Sequence, residues 1–125
     1  MVDLTPVIPA DRQVIDSYGP GWFRISGIIH RGAVLVFPDR SQAWPVAGFE
    51  GLSLESFAAL DQAQPPIEVL LLGCGPRMQL LPAALRQRLK QSGIVADPMA
   101  TGPACRTYNV LLAEGRRVAA ALLPA

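Results

Sequence analysis

The chain has 125 residues, half of them apolar and only 17% charged, with eleven Lys and Arg against ten Asp and Glu for a formal net charge of +1. This length suits one domain with one real core, and this composition excludes a disordered chain. The basic residues are scattered, with Arg86, Arg88 and Lys90 the only local cluster, so nucleic acid binding has no electrostatic footprint.

The N-terminal stretch MVDLTPVIPADRQ has neither the basic start nor the apolar centre of a signal peptide. Residues 1–13 are therefore expected to be an extended arm, and residues 14–125 a single α/β domain, with a short strand near Val14 and Ile15. Phe23 and Ile25 then alternate with polar neighbours, Ile28 and Ile29 lead into His30-Arg31-Gly32, and Ala33 to Phe37 form a second apolar run. This pattern predicts a β-hairpin turning near Arg31-Gly32. A loop with one short strand around Trp44 to Val46 comes next. Ser53 can cap a helix whose Leu54, Phe57 and Leu60 recur at helical spacing, stopped by Pro65-Pro66.

Ile67 to Leu72 is apolar except for Glu68, which suits a central strand covered on both faces. Leu81, Leu85 and Leu89 make one stripe of a helix with Pro82 in its first turn and Gly93 past its end. Ile94 to Ala96 is a short strand. Thr101 or Gly102 can cap a last helix with Tyr108, Leu111 and Leu112 on its buried face, and Arg116 to Leu123 is the last strand. Strand, helix, strand, helix, strand after a β-rich first half argues for a layered α/β domain with a parallel crossover. The full expectation is a three-layer mixed sheet with helices and an additional β-hairpin layer.

The chemistry-bearing residues concentrate at strand ends. LLLGCGP, residues 70–76, sets Cys74 between two glycines where an apolar strand stops. Backbone N–H groups in such a loop can cradle an anion, but the third glycine of a dinucleotide fingerprint and the Lys of a P-loop are missing, and Pro76 removes a donor. A thiol beside Arg77 and near a helix start can be activated, and Cys105 lies near the next helix start. The single histidine, His30, falls in the hairpin region and signals no Cys-His dyad. Cys105 and Asn109 are four apart and share a helix face, with Thr101 just before them. A shared crevice at the carboxyl edge of the sheet, formed by Gly73, Cys74, Gly75, Arg77, Thr101, Cys105 and Asn109, is the candidate pocket. The competing reading makes each thiol a small buried filler and Asn109 a backbone partner. No metal-ligand spacing and no cofactor fingerprint is present. Trp22, Phe23, Phe37 and Trp44 are core candidates, or a partner surface on the β layer.

Taken together, Gly73 to Gly75, Leu81-Pro82, Met99, Thr101, Ala104-Cys105, Thr107-Tyr108-Asn109, Leu111-Leu112, Glu114-Gly115-Arg116 and Val118 resemble the small domain family that includes mitochondrial complex I assembly factor 3 and the adipogenesis-associated domain protein. Ile15, Tyr18, Gly19, Phe23, Ile25, Gly27, Gly32, Val34, Val36, Pro38 and Trp44 fit its strand-and-hairpin region. The resemblance spans about residues 14–123. Many members carry Thr or Ser where this chain has Cys74, so a hydroxyl contact there is in doubt. The resemblance implies a three-layer mixed α/β fold and an accessory role through protein contacts, no enzymatic activity being established for the family; no cofactor is expected.

The expectation is thus a bacterial accessory protein with a protein partner, an assembly factor for a membrane-bound respiratory complex. It is expected in the reducing cytoplasm with free thiols. No apolar run is long enough to insert in a membrane, so association there is peripheral and through a partner. The alternatives are a small-ligand or anion binder, or a thiol enzyme, at the Cys74 and Cys105 crevice, and homo-oligomerisation through the apolar β layer.

Overall fold

A computed structural model describes residues 11–125; of the expected extended arm, residues 1–10 lie outside the described residues. The described residues form two sheets. In the first, β1 (Ile15–Gly19), β2 (Trp22–Ile25) and β3 (Ile28–Arg31) pair antiparallel in that order. The second contains β4 (Val34–Val36), β5 (Ser41–Ala43), β6 (Val69–Cys74), β7 (Val95–Met99) and β8 (Val118–Leu123), in the order β5-β4-β8-β6-β7. There β6 runs parallel to both neighbours, whereas β4 is antiparallel to β5 and β8. The helices are α1 (Ala83–Gln91) and α2 (Thr101–Ala113), preceded by 3-10 segments at Phe49–Gly51 and Leu54–Gln62.

Strand β6 is central, as its apolar run requires, and its side chains alternate between two cores. Leu70, Leu72 and Cys74 enter one core with Phe57, Leu60, Leu81 and Leu89, while Leu71 enters the other with Phe23, Ile25, Cys105 and Tyr108. Strand β8 divides in the same way, Ala119, Ala121 and Leu123 against Val118, Ala120 and Leu122. Three layers follow: α1 with the 3-10 segments, the five-stranded sheet, and α2 with the three-stranded sheet. Burial of each β6 leucine contributes about 1.5 to 3 kcal/mol, and each of Leu70, Leu71 and Leu72 is at most 1% exposed. The expected three-layer mixed α/β domain is the fold observed.

Several local expectations are corrected. The hairpin turns at Ser26-Gly27, with φ of 46° and 83°, not at Arg31-Gly32. Two successive residues at positive φ match the right-handed twist of the flanking strands. The run from Ala33 to Phe37 leaves that hairpin and supplies β4 of the other sheet. Trp44 follows β5 instead of starting a strand. It is a core residue whose indole Nε1 donates to the Ser56 carbonyl at 2.7 Å and whose ring lies 5.8 Å from that of Phe57. The helix expected after Ser53 is a 3-10 segment, because Phe57, Leu60 and Ala63 recur every third residue and all three are buried. The strand foreseen at Ile94 to Ala96 extends to Met99 through Pro98, which an edge strand tolerates.

Candidate functional site

The carboxyl edge of β6 is where a doubly covered sheet of this kind opens a crevice. Here the chain fills it with Thr101. The side chain of Thr101 is fully buried, and Ala100 takes the position before the first turn of α2, so the Thr101 hydroxyl is free to bond elsewhere. Its Oγ1 accepts from the Gly75 N–H at 2.8 Å and donates to the Leu123 carbonyl at 2.7 Å. The Thr101 N–H donates to the Gly75 carbonyl at 2.9 Å. One residue thus joins the ends of β6 and β8 to the start of α2. Gly73 and Gly75 are required by this closeness. A Cβ on Gly73 would meet Leu122 Cδ2 at 2.9 Å and Thr101 Oγ1 at 3.0 Å, and Gly75 sits at φ 94°, a region that other residues rarely adopt.

The two thiols lie in different cores, on opposite faces of the sheet. Cys74 packs with the α1 side, its Sγ 3.6 Å from the Leu72 and Gln79 carbonyls, and burial raises its pKa. Cys105 packs with Phe23 and Tyr108. Burial pushes its pKa up to about 12, against a smaller opposing pull from Arg106. Both are free and buried, the opposite of an electropositive, accessible nucleophile. Arg77 is exposed on the loop after Gly75.

Asn109 has a backbone partner. Its Oδ1 accepts from the Ile15 N–H at 3.0 Å and its Nδ2 donates to the Ile15 carbonyl at 2.8 Å, a two-bond clasp between α2 and β1. The preceding residue, Tyr108, shares its hydroxyl hydrogen between the carbonyls of Gln13 (2.9 Å) and Phe37 (3.2 Å), and burial raises its pKa. Of the seven candidate residues the structure therefore brings together Gly73, Gly75 and Thr101. It separates Cys74 from Cys105, turns Asn109 to Ile15 and leaves Arg77 in solvent. Among the described residues no group of His, Cys, Asp and Glu could hold a metal ion, and no helix is long and apolar enough to cross a membrane.

A cavity of about 420 Å³ opens at the other end of the sheet, between the end of β4 and the starts of β6 and β8. Its arginines, Arg12, Arg116 and Arg117, were not singled out from sequence as a site. The signal available was the adjacent pair Arg116-Arg117 at the mouth of a fully apolar strand. Both arginines reach Glu68 across the strand starts, at 3.5 and 3.4 Å, and the hydrogen bond from Arg117 leads in holding the Glu68 carboxyl below its usual pKa.

The chain is 46% identical over 110 residues to an uncharacterised protein of Rhodobacter capsulatus, covering 88% of this chain and 83% of that one. It is 40% identical over 111 residues to the NADH dehydrogenase (ubiquinone) 1 alpha subcomplex assembly factor 3 of Danio rerio, covering 89% of this chain. That alignment takes in 64% of the assembly factor's own length. A solution structure of a Bordetella pertussis protein, described as an Mth938-like domain, superposes with a TM-score of 0.81 at 28% identity, covering 99% of this chain and 92% of that one. Residues 15–123 match the family described as a protein of unknown function, DUF498/DUF598. With that match running from the start of β1 to the end of β8, the chain belongs to the DUF498/DUF598 family, which includes relatives named as complex I assembly factor 3.

Proposed function

We propose that this protein is an accessory factor in the assembly of a membrane-bound respiratory NADH dehydrogenase, and that it holds an extended segment of an unassembled subunit against β3. The names of the relatives support the process, and the carrying observation is the state of the sheet edges. Exposed strand edges template further pairing, and folded proteins blunt them. Of the four edges, β7 carries Asp97 and Pro98, β5 has three residues, and β1 has a register shift between Ile15 and Ser17 with Ile15 already bonded to Asn109. β3 has no proline and no register shift, and its one charge is Arg31 at its end. It pairs regularly with β2 over four residues, and its outer edge carries Ile28 at 64% and Ile29 at 47% exposure. An added strand would take main-chain hydrogen bonds from this edge and cover both isoleucines.

The proposed compartment is the cytoplasm, consistent with two free, buried thiols, with contact to the membrane through the bound subunit. The test places a photo-crosslinker at Ile28 of the tagged chain in cells assembling the complex and identifies the crosslinked protein. A subunit of the complex is expected, lost in the Ile29→Lys variant. Crosslinks to no subunit, or to one equally in that variant, would sink the reading. A dimer in sedimentation that the same substitution abolishes would assign the edge to a second copy instead.

A further inference from the structure

The cavity at the starts of β6 and β8 combines an apolar floor with a cationic mouth. Phe37, Ile67 and Leu112 supply apolar wall, and Arg12, Arg116 and Arg117 stand around it. At about 420 Å³ it falls within the roughly 300 to 1,000 Å³ of small-molecule sites. Among the described residues Asp39 is the one carboxylate on the wall, and Arg40, whose guanidinium also stacks 4.0 Å from the Phe37 ring centroid, engages it at 3.4 Å. Glu68 is engaged by Arg116 and Arg117 together. Four guanidinium groups thus face two carboxylates, and among the described residues no ion pair engages Arg12. The surplus is positive and sits over an apolar floor.

The wall is also held in place. The Arg117 carbonyl accepts from the N–H groups of Glu68 and Val69 at 2.9 and 3.2 Å, and the Arg116 N–H donates to the Leu111 carbonyl at 3.0 Å. The two arginines therefore project from backbone tied to β6 and to the end of α2. Guanidinium groups so placed favour carboxylate or phosphate oxygens, and the floor favours a hydrocarbon body.

We propose that this cavity binds a small organic anion with an apolar body, the head group at Arg12, Arg116 and Arg117 and the body on Phe37, Ile67 and Leu112. It is separate from the β3 edge, so binding here and partner capture there can fail independently.

The test titrates the full chain, followed by backbone amide NMR, with octanoate, with octanol as the neutral body, and with inorganic phosphate as the bare anion. Octanoate is expected to shift the amides of Gln64, Ala113 and Gly115 saturably, with at least about tenfold higher affinity than either control. Arg12→Gln and Arg116→Gln should each weaken octanoate about tenfold and leave octanol unchanged, with an otherwise native spectrum. Equal affinity for octanol, or for phosphate, overturns the proposal, as does the absence of saturable shifts. Phosphatidylglycerol vesicles offer the same chemistry from a surface. Flotation of the chain with them, without octanoate binding, would overturn a small-molecule site in favour of a lipid surface.

Discussion

Replacing Thr101 with valine keeps the side-chain shape and removes only the hydroxyl. In the folded chain that change strands two groups with no access to water, the Gly75 N–H, now 2.8 Å from its acceptor, and the Leu123 carbonyl, now 2.7 Å from its donor. Each buried group left unpaired costs about 1 to 3 kcal/mol, so Thr101→Val should lose about 2 to 6 kcal/mol of a stability on the order of 5 to 15 kcal/mol. Urea unfolding followed by circular dichroism reads this directly. With slopes of about 1 to 3 kcal/mol/M for small proteins, the midpoint should fall by about 1 M or more at unchanged slope. Thr101→Ser keeps the hydroxyl and deletes one methyl, a loss of about 0.8 kcal/mol. A valine variant within about 0.5 kcal/mol of the parent, or a serine variant as weak as the valine one, would refute the view that the hydroxyl closes the strand-end crevice.

Asn109→Ala removes both bonds to Ile15 and should cost about 1 to 3 kcal/mol, with faster hydrogen exchange at the Ile15 amide than at the β6 amides. Unchanged exchange at Ile15 would count against the clasp. For Cys105, the folded thiol is raised to about 12 from an ordinary 9.0, so its contribution is complete below pH 9 and is lost as pH climbs toward 12. Between pH 8 and pH 10 the unfolded thiol ionises and the folded one does not, which should lower stability by about 1 kcal/mol, and Cys105→Ala should remove that part of the pH dependence. Tyr108 is raised in the same direction, so the comparison is between parent and variant at each pH.

The second half of the fold was legible because its signals are redundant. A strand buried on both faces reads as an unbroken apolar run at Val69–Cys74 and Val118–Leu123. Pro82, Gly93 and Gly115 punctuate the helices between. The first half misled because Ser26-Gly27 interrupts a run of isoleucines, two of which, Ile28 and Ile29, are exposed. A half-buried three-stranded sheet and a strand of a different sheet then look like one hairpin. The three-residue recurrence of Phe57, Leu60 and Ala63 was visible but fits both helix types at low count. At the candidate site, the nearness of Gly73, Gly75 and Thr101 follows from parallel strands ending at one edge. The separation of Cys74 and Cys105 does not, since it depends on which face of the sheet each thiol takes. The Arg12, Arg116 and Arg117 cluster joins segments about a hundred residues apart, and nothing local announces it.

The Asn109 clasp has a consequence for how the chain comes to be folded. Ile15 opens β1, yet its backbone partner is 94 positions later, and β4 likewise waits for β8. Synthesis runs from the N-terminus, so the three-stranded sheet is made early and stays undocked until α2 and β8 have emerged. Throughout that interval β3 and the inner faces of β1 and β2 are open together. The nascent chain therefore depends on its last helix to cover its first strand, and its folding rate should be set by closure of these long loops more than by any local helix or turn.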